Sequence, residues 1–359
     1  MKRELQRIDI PGEHDARERT WRVLQTAFVE RERVTWPRRH ARSLVLAAAG
    51  AAIVTAAVTP PGQSVVNSIR DAVGREKVVG VRPAHQELVR LPAPGPLLLQ
   101  SRRGPWIVQP TGSRRLLGRY SMASWSPHGK FVAAVRYRYE LVALDPKGII
   151  RWVRGRKQVI RFPRWSYEGY RIAYLSNETL RVINGDGTGD RGLGDADPRV
   201  APAWNAGTHE VAWVGRDGDV RVADADSRRP PERVRESRRI VALAWRDGEL
   251  SAVPLRLDGI PGTVAAAAFA ANGRTAEIVR SAGRSRVYLE DRLVFSGAGI
   301  MDSVAFSPDS HWLVVGWRSA DQLVFIRVNP PKLYAVSNVT RQFGPAFPTL
   351  AGWCCTSSG

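Results

Sequence analysis

The stretch Asn184–Asp195 is where this chain comes nearest to a chemical motif. It sets Asn184, Asp186, Thr188, Asp190 and Asp195 at the first, third, fifth, seventh and twelfth places of a calcium-loop pattern, with Gly189 at the sixth. The eighth place holds Arg191 in place of an apolar residue, and no helices flank the loop, so the stretch reads as an Asp-Gly β-turn. Inside it, Gly187–Gly192 spells G-x-G-x-x-G. A dinucleotide fingerprint needs a strand before it and a helix after it, whereas strand-like residues stand on both sides here. His14, His40, His85, His128, His209 and His311 are scattered, without H-E-x-x-H or His-x-His. G-x-S-x-G is missing, which excludes the usual serine-hydrolase elbow. No set of carboxylates stands out as an axial metal site, so the sequence names no catalytic residue, no metal ligand and no cofactor. Cys354 and Cys355 fall on an expected strand, one pointing inward and one outward. That favours one packed cysteine and one spare thiol; a vicinal disulfide or an intermolecular bridge is the alternative.

The elements that could position such residues are set by composition. The 359 residues carry 43% hydrophobic and 25% charged side chains, which excludes a disordered chain, a collagen and a multi-pass membrane protein. Two cysteines exclude a four-cysteine zinc site and a disulfide-stapled mini-domain. The formal charge of +20 comes almost wholly from arginine, since the lysines are Lys2, Lys77, Lys130, Lys147, Lys157 and Lys332. This bias, beside abundant alanine, glycine and proline, points to GC-rich coding as much as to a ligand. The excess is spread along the chain, unlike the single basic face of a nucleic-acid-binding domain, and no nucleic acid is expected. The densest run, Arg228–Arg239, is broken by Glu232, Glu236 and a Pro-Pro pair and reads as a solvated connection.

Residues 1–42 form a polar segment in which Trp21, Leu24, Ala27 and Phe28 line one face of an expected amphipathic helix. Such a helix suits a membrane surface or a cytoplasmic partner. The run 43–59, Ser43–Thr59, has no charge. As a helix it spans ~26 Å at ~1.5 Å per residue, near the lower limit for a hydrocarbon core of ~30 Å. Arg31, Arg33, Arg38, Arg39 and Arg42 precede it, so the positive-inside rule places the N-terminus in the cytoplasm and the rest outside. The expectation is a single-pass anchor in the cytoplasmic membrane, with a cleaved signal peptide or a buried helix as rivals. Residues 60–95 add a small amphipathic stretch at Val65, Val66, Ile69 and Val73 and a proline-rich linker.

From Pro96 the period becomes strand-like: FVAAVRY, ELVALD, RIAYL, EVAWV, WLVVGW and LVFIRV lie between Gly, Pro, Asn and Asp turns. An aromatic followed by a short turn recurs at Trp125, Trp165, Trp204, Trp245, Phe269, Phe306 and Trp353, spaced 40, 39, 41, 24, 37 and 47 residues apart. A period near 40 with four short strands is what a propeller blade requires. WSPHG, WSYEG and FSPDS resemble the W-S-P-D-G signature of TolB-like, WD40-like β-propeller repeats, and LRVINGDGTGDRGLG resembles the third strand, hairpin and fourth strand of that repeat. The resemblance covers residues 96–359. It implies an all-β propeller and a protein-binding scaffold in the bacterial cell envelope, not an enzyme. The pattern weakens at AWNAG and FAANG, and the Trp245 unit is too short for four strands. The first unit has strands near Leu97–Gln100, Trp106–Gln109 and Arg114–Leu117 but lacks the aromatic turn. A leftover strand at Leu350–Cys355 would complete it and close the ring. The count is then six or seven blades, one stunted. The functional expectation is an extracytoplasmic binding module for a protein or an anionic envelope polymer. A transmembrane regulator and an envelope hydrolase with an axial metal site stand as alternatives.

Overall fold

Three consecutive leucines show how the strands are used. In β1 (Leu97–Ser101), Leu97 and Leu99 enter one core and Leu98 another, because side chains alternate along a strand. A strand apolar on both faces must stand between two neighbours. The computed structural model describes His85 and residues 87–355, except 236–238, 247 and 328. The expected amphipathic helix, the run 43–59 and the stretch Val65–Val73 lie outside the described residues, among which no helix is long and apolar enough to cross a membrane.

β1 pairs with β2 (Gly104–Val108), β2 with β3 (Arg114–Leu116), and the other edge of β1 with β26 (Thr349–Trp353). The last strand of the chain thus completes the first sheet. The second sheet is β4 (Ser121–Trp125), β5 (Val132–Arg136), β6 (Glu140–Leu144) and β7 (Ile150–Gly155). The third is β8 (Ile160–Trp165), β9 (Arg171–Ser176), β10 (Thr179–Asn184) and β11 (Arg191–Asp195). The fourth is β12 (Ala203–Trp204), β13 (Glu210–Val214), β14 (Val220–Asp224) and β15 (Glu232–Arg235). The fifth has only β16 (Ile240–Arg246) and β17 (Glu249–Pro254). The sixth is β18 (Thr263–Phe269), β19 (Thr275–Ser281), β20 (Arg284–Leu289) and β21 (Arg292–Ala298). The seventh is β22 (Met301–Phe306), β23 (Trp312–Trp317), β24 (Gln322–Arg327) and β25 (Lys332–Val336). The innermost strands β26, β4, β8, β12, β16, β18 and β22 touch in that order, and β22 returns to β26. The fold is a seven-bladed propeller, and the 24-residue spacing after Trp245 is the two-stranded blade.

Seven apolar cores lie between the seven blades. The core between the fifth and sixth blades is the thinnest, with Val253, Val264 and Val279 as its fully buried members. Leu257 and Ile260, in the connection that stands where two strands are missing, pack onto it.

The repeat motif has a local cause. Ser126 Oγ accepts from Phe131 N (2.9 Å), Ser166 Oγ from Arg171 N (3.0 Å) and Ser307 Oγ from Trp312 N (3.0 Å), so the buried serine closes the turn from inside. In the fourth and fifth blades the repeat tryptophan ties blade to blade: Trp204 Nε1 donates to Arg164 O (2.9 Å) and Trp245 Nε1 to Ala203 O (3.2 Å). Trp353 Nε1 donates to Gly95 O at 2.9 Å, the same lock at the ring's seam.

Three features depart from the sequence reading. A short helix, α1 (Val339–Phe343), and a 3-10 turn (Arg318–Ala320) interrupt the strands of the seventh blade region, and Val339 and Phe343 are buried. Residues before Pro96 are packed too: Leu88, Leu91 and Ala93 join the core at the seam, and His85 bridges to Val336. The cysteines are not alternate strand residues. β26 ends at Trp353, so both lie in the turn beyond it, where Cys354 and Cys355 are joined as a vicinal disulfide.

Gly104, the first residue of β2, has φ +133°, and a Cβ there would stand 1.7 Å from Gly118 O. Both partners are backbone, so neither can yield. Gly104→Ala is expected to cost several kcal/mol, more than the ~1–3 kcal/mol of ordinary backbone strain. Urea unfolding measures it, and a midpoint shift equivalent to less than about 1 kcal/mol would contradict the contact.

Candidate functional site

Antiparallel blades send their loops alternately to two faces. One face carries each blade's innermost-to-second and third-to-fourth strand loops. The other carries the second-to-third loops and the links between blades. On the first face, the loops hold Glu168, Asp186, Asp226, Glu290, Asp291 and Asp309, only partly offset by basic residues. On the second, around the first two blades, they hold Arg102, Arg103, Arg119, Arg138, Arg156 and Lys157 and no acid. The even spread of arginine along the sequence therefore becomes uneven in space.

Between the first and second blades on that basic face lies a cleft of about 640 Å³. Arg102, Arg103, Arg119 and Arg138 rim it, Leu116 supplies exposed apolar lining, and Tyr120 and Tyr137 stand in its walls. The walls are fixed from behind. Ser101 Oγ accepts from Arg103 N (3.1 Å) and Trp106 Nε1 (3.2 Å) and donates to Gly104 O (3.0 Å), which sets the turn carrying Arg102 and Arg103. Gln100 Nε2 donates to Tyr120 O (3.0 Å), and Gln100 Oε1 accepts from Ala123 N (3.3 Å). Arg136 donates to Glu140 at 2.6 Å and lies 5.3 Å from the centroid of Tyr137. The hydrogen bond to Glu140 raises the Arg136 guanidinium above its ordinary value. The four rim arginines, in contrast, have no ion-pair partner among the described residues.

Tyr137 and Arg138 both have left-handed backbone, at φ 51° and 67°. Glycine would take these angles at no cost, as Gly283 does in the equivalent turn of the sixth blade. Non-glycine residues held there cost roughly 1–3 kcal/mol each, and such strain collects at functional positions. Tyr137 is 73% exposed. Beside it Tyr139 and Val153 are exposed on the same blade, and Ile149, Ile150 and Phe131 are exposed at the blade's other end. Exposed apolar groups gathered on one blade mark an interaction surface.

The residues singled out in sequence go elsewhere. Asn184, Asp186 and Thr188 bond one another within the β10–β11 turn. Asp190 turns inward, where its buried carboxylate meets Arg156, Arg181 Nε (2.9 Å) and Tyr174 Oη (2.7 Å). Asp195 pairs with Arg221. Two carboxylates of the calcium-like pattern, Asp190 and Asp195, are thus consumed by arginines, and the third, Asp186, accepts from Thr188. Among the described residues, His209, Asp224 and Asp226 alone could each bring a ligand atom within 4.8 Å of the others. All three are exposed, and Asp226 already accepts Arg171 Nε at 2.8 Å and stands 2.6 Å from His209 Nδ1. A cation would have to displace Arg171, so this is an ion-pair link between the third and fourth blades. In the densest arginine run, Arg233 pairs with Asp219, while Arg228 and Arg229 are exposed.

Glu277 on β19 is 8% exposed, and burial pushes its carboxyl up to about 7, with Asp291 and Glu290 adding repulsion. A carboxyl raised above its unfolded value stays protonated in the fold where the unfolded chain has already ionised. Stability is therefore lost as pH rises from the unfolded value toward about 7. Glu277→Gln is expected to melt like the parent near pH ~4 and to melt higher near pH ~8. Equal melting at both values would show that Glu277 is not desolvated.

No protein-family model and no curated protein sequence matches the chain. Solved structures do. The chain is similar to the C-terminal WD40 domain of Sif2, with a TM-score of 0.51 and 13% identity over 80% of this chain and 91% of that one. It is also similar to the RRP9 WD40 repeats, with a TM-score of 0.50 and 12% identity over 67% of this chain and 84% of that one. At such identity the likeness concerns the fold: a WD40-like β-propeller.

Proposed function

We propose that this chain is a binding module, a propeller scaffold that holds a protein partner and performs no chemistry of its own. The observation that carries it is the strained, exposed Tyr137–Arg138 turn beside a cleft rimmed by unpaired arginines. A surface kept against its own backbone cost, with no nucleophile–base pair near it, suits recognition better than catalysis. The WD40-like fold supports the scaffold reading, since it displays many loops on a rigid ring.

The sequence extends the proposal. The uncharged run 43–59, behind its five arginines, would anchor the chain in the cytoplasmic membrane with the propeller outside. The turns WSPHG, WSYEG and FSPDS, similar to W-S-P-D-G, would make it a TolB-like member of the bacterial envelope. Protease added to cells stripped of their wall should then digest the propeller and spare an N-terminal tag; a protected propeller would refute the orientation.

The scaffold reading itself is tested by crosslinking the full chain in membranes and recovering it. A defined protein partner should co-purify and be lost when Tyr137, Tyr139 and Val153 are all changed to Ser. Recovery of the chain alone, or of a partner indifferent to these changes, would overturn the reading of this surface.

A further inference from the structure

We infer that the cleft between the first two blades seats an acidic peptide segment, with its carboxylates on Arg102, Arg103, Arg119 and Arg138 and an apolar side chain against Leu116. This rests on the binding-module reading and narrows it to one ligand chemistry. The four guanidinium groups converge on one space from three loops, none of them in an ion pair among the described residues. An arginine fork matches a carboxylate with two parallel hydrogen bonds, a geometry that adds direction to charge. The lining is mixed, which a bare polyanion would leave unused. About 640 Å³ lies within the usual range of ligand-binding pockets.

The tyrosines separate a peptide from a nucleic acid. Single strands are held by stacking bases on open aromatic faces, worth ~1–3 kcal/mol per base. Here Arg136 already lies over the Tyr137 ring, and Glu140 holds Arg136 in place. Tyr120 folds over Gly118, whose missing Cβ would stand 2.9 Å from Tyr120 Cε2. The rings therefore serve as walls, with their hydroxyl ends available as hydrogen-bond donors. A peptide can use such hydroxyls, whereas a stacked base needs the ring face.

The test uses the purified full chain and a fluorescent synthetic peptide of alternating Glu and Leu, read by anisotropy. Comparison probes are the same peptide with Gln for Glu, and a labelled thymidine oligonucleotide. Two charge-matched double variants are compared: Arg119→Glu with Arg138→Glu in the cleft, and Arg228→Glu with Arg229→Glu on the opposite face. All four side chains are exposed, so the fold should survive, and melting temperature checks it. The expected result is saturable binding of the acidic peptide, weakened about tenfold or more by the cleft variant only and lost with the Gln peptide. Three results would overturn the inference: no saturable binding, equal weakening by both variants, or tighter binding of the oligonucleotide through the same arginines. Failure here is separable from failure of the scaffold reading. A membrane partner that needs Tyr137, Tyr139 and Val153 but ignores the cleft variant would leave the scaffold standing and remove the acidic peptide.

Discussion

A chain ending at Pro348 is expected to lose cooperative unfolding, because the first blade would lose its innermost strand. Among the described residues β26 alone supplies that strand, and its register with β1 runs Leu97↔Trp353, Leu98↔Gly352, Leu99↔Leu350 and Gln100↔Thr349. Trp353 is buried at the seam, edge-on to Phe325 of the seventh blade at 5.8 Å, with its indole donating to Gly95 O. Without β26, Leu97, Leu99 and Phe325 would line an open groove and β1 would become an exposed sheet edge. The milder variant Trp353→Ala should cost about 3–5 kcal/mol, the usual range for a buried tryptophan. Denaturant unfolding of both proteins measures this. A truncated chain that melts like the parent would mean the ring closes without its last strand.

The second large effect is expected at Asp190, and it comes from electrostatics where the first comes from packing. Its side chain is 2% exposed and is shared by Arg156, Arg181 and the Tyr174 hydroxyl, with Arg154 Nε at 3.8 Å. Removing one member of a buried ionic group leaves the others charged and uncompensated, at a typical cost of ~3–5 kcal/mol. Asp190→Ala should therefore destabilise the fold by about that amount. Adding Arg156→Met and Arg181→Met should recover part of it, since the orphaned charges go too. A loss below about 1 kcal/mol would show that the three cations are solvated. Calcium should leave the melting temperature unmoved, because the carboxylate that a calcium loop would need is already neutralised.

The fold was largely legible because several blades repeat the same local solution. Trp125, Trp165 and Phe306 each end an innermost strand, the serine after each closes the turn, and the spacing between them counts the blades. The short interval after Trp245 announced a blade that could not hold four strands. The absent aromatic turn in the first unit, with a spare strand around Trp353, announced the closure. What failed was local. The cysteine pair was read by strand alternation, but the ladder stops one residue earlier, at Trp353, so the alternation never reached it. The helix Val339–Phe343 is one turn and a half long and carries only two buried apolar residues, too little periodicity to register.

The candidate site was hidden for a different reason. Its arginines come in ones and twos from the loops at Arg102–Arg103, Arg119 and Arg138, none of them dense enough to stand out in an arginine-rich chain. The dense run at Arg228–Arg239 drew attention instead, and its Arg228 and Arg229 stand on the opposite face. Only the pairing of β2 with β3 and of β5 with β6 brings the cleft arginines together. A signal was nevertheless present: Tyr137-Arg138-Tyr139 occupies a hairpin turn where small or glycine residues are expected. An aromatic pair in such a turn is a surface being displayed.

The central claim is that this propeller binds through the basic face of its first two blades. A photoreactive amino acid placed at Tyr137, and separately at Asn272 on the opposite face, tests it in the full chain within intact cells. The account predicts a discrete crosslinked protein from position 137, competed by the alternating Glu and Leu peptide, and none from position 272. Crosslinks from position 272 alone, or a position-137 product that the peptide does not reduce, would contradict it.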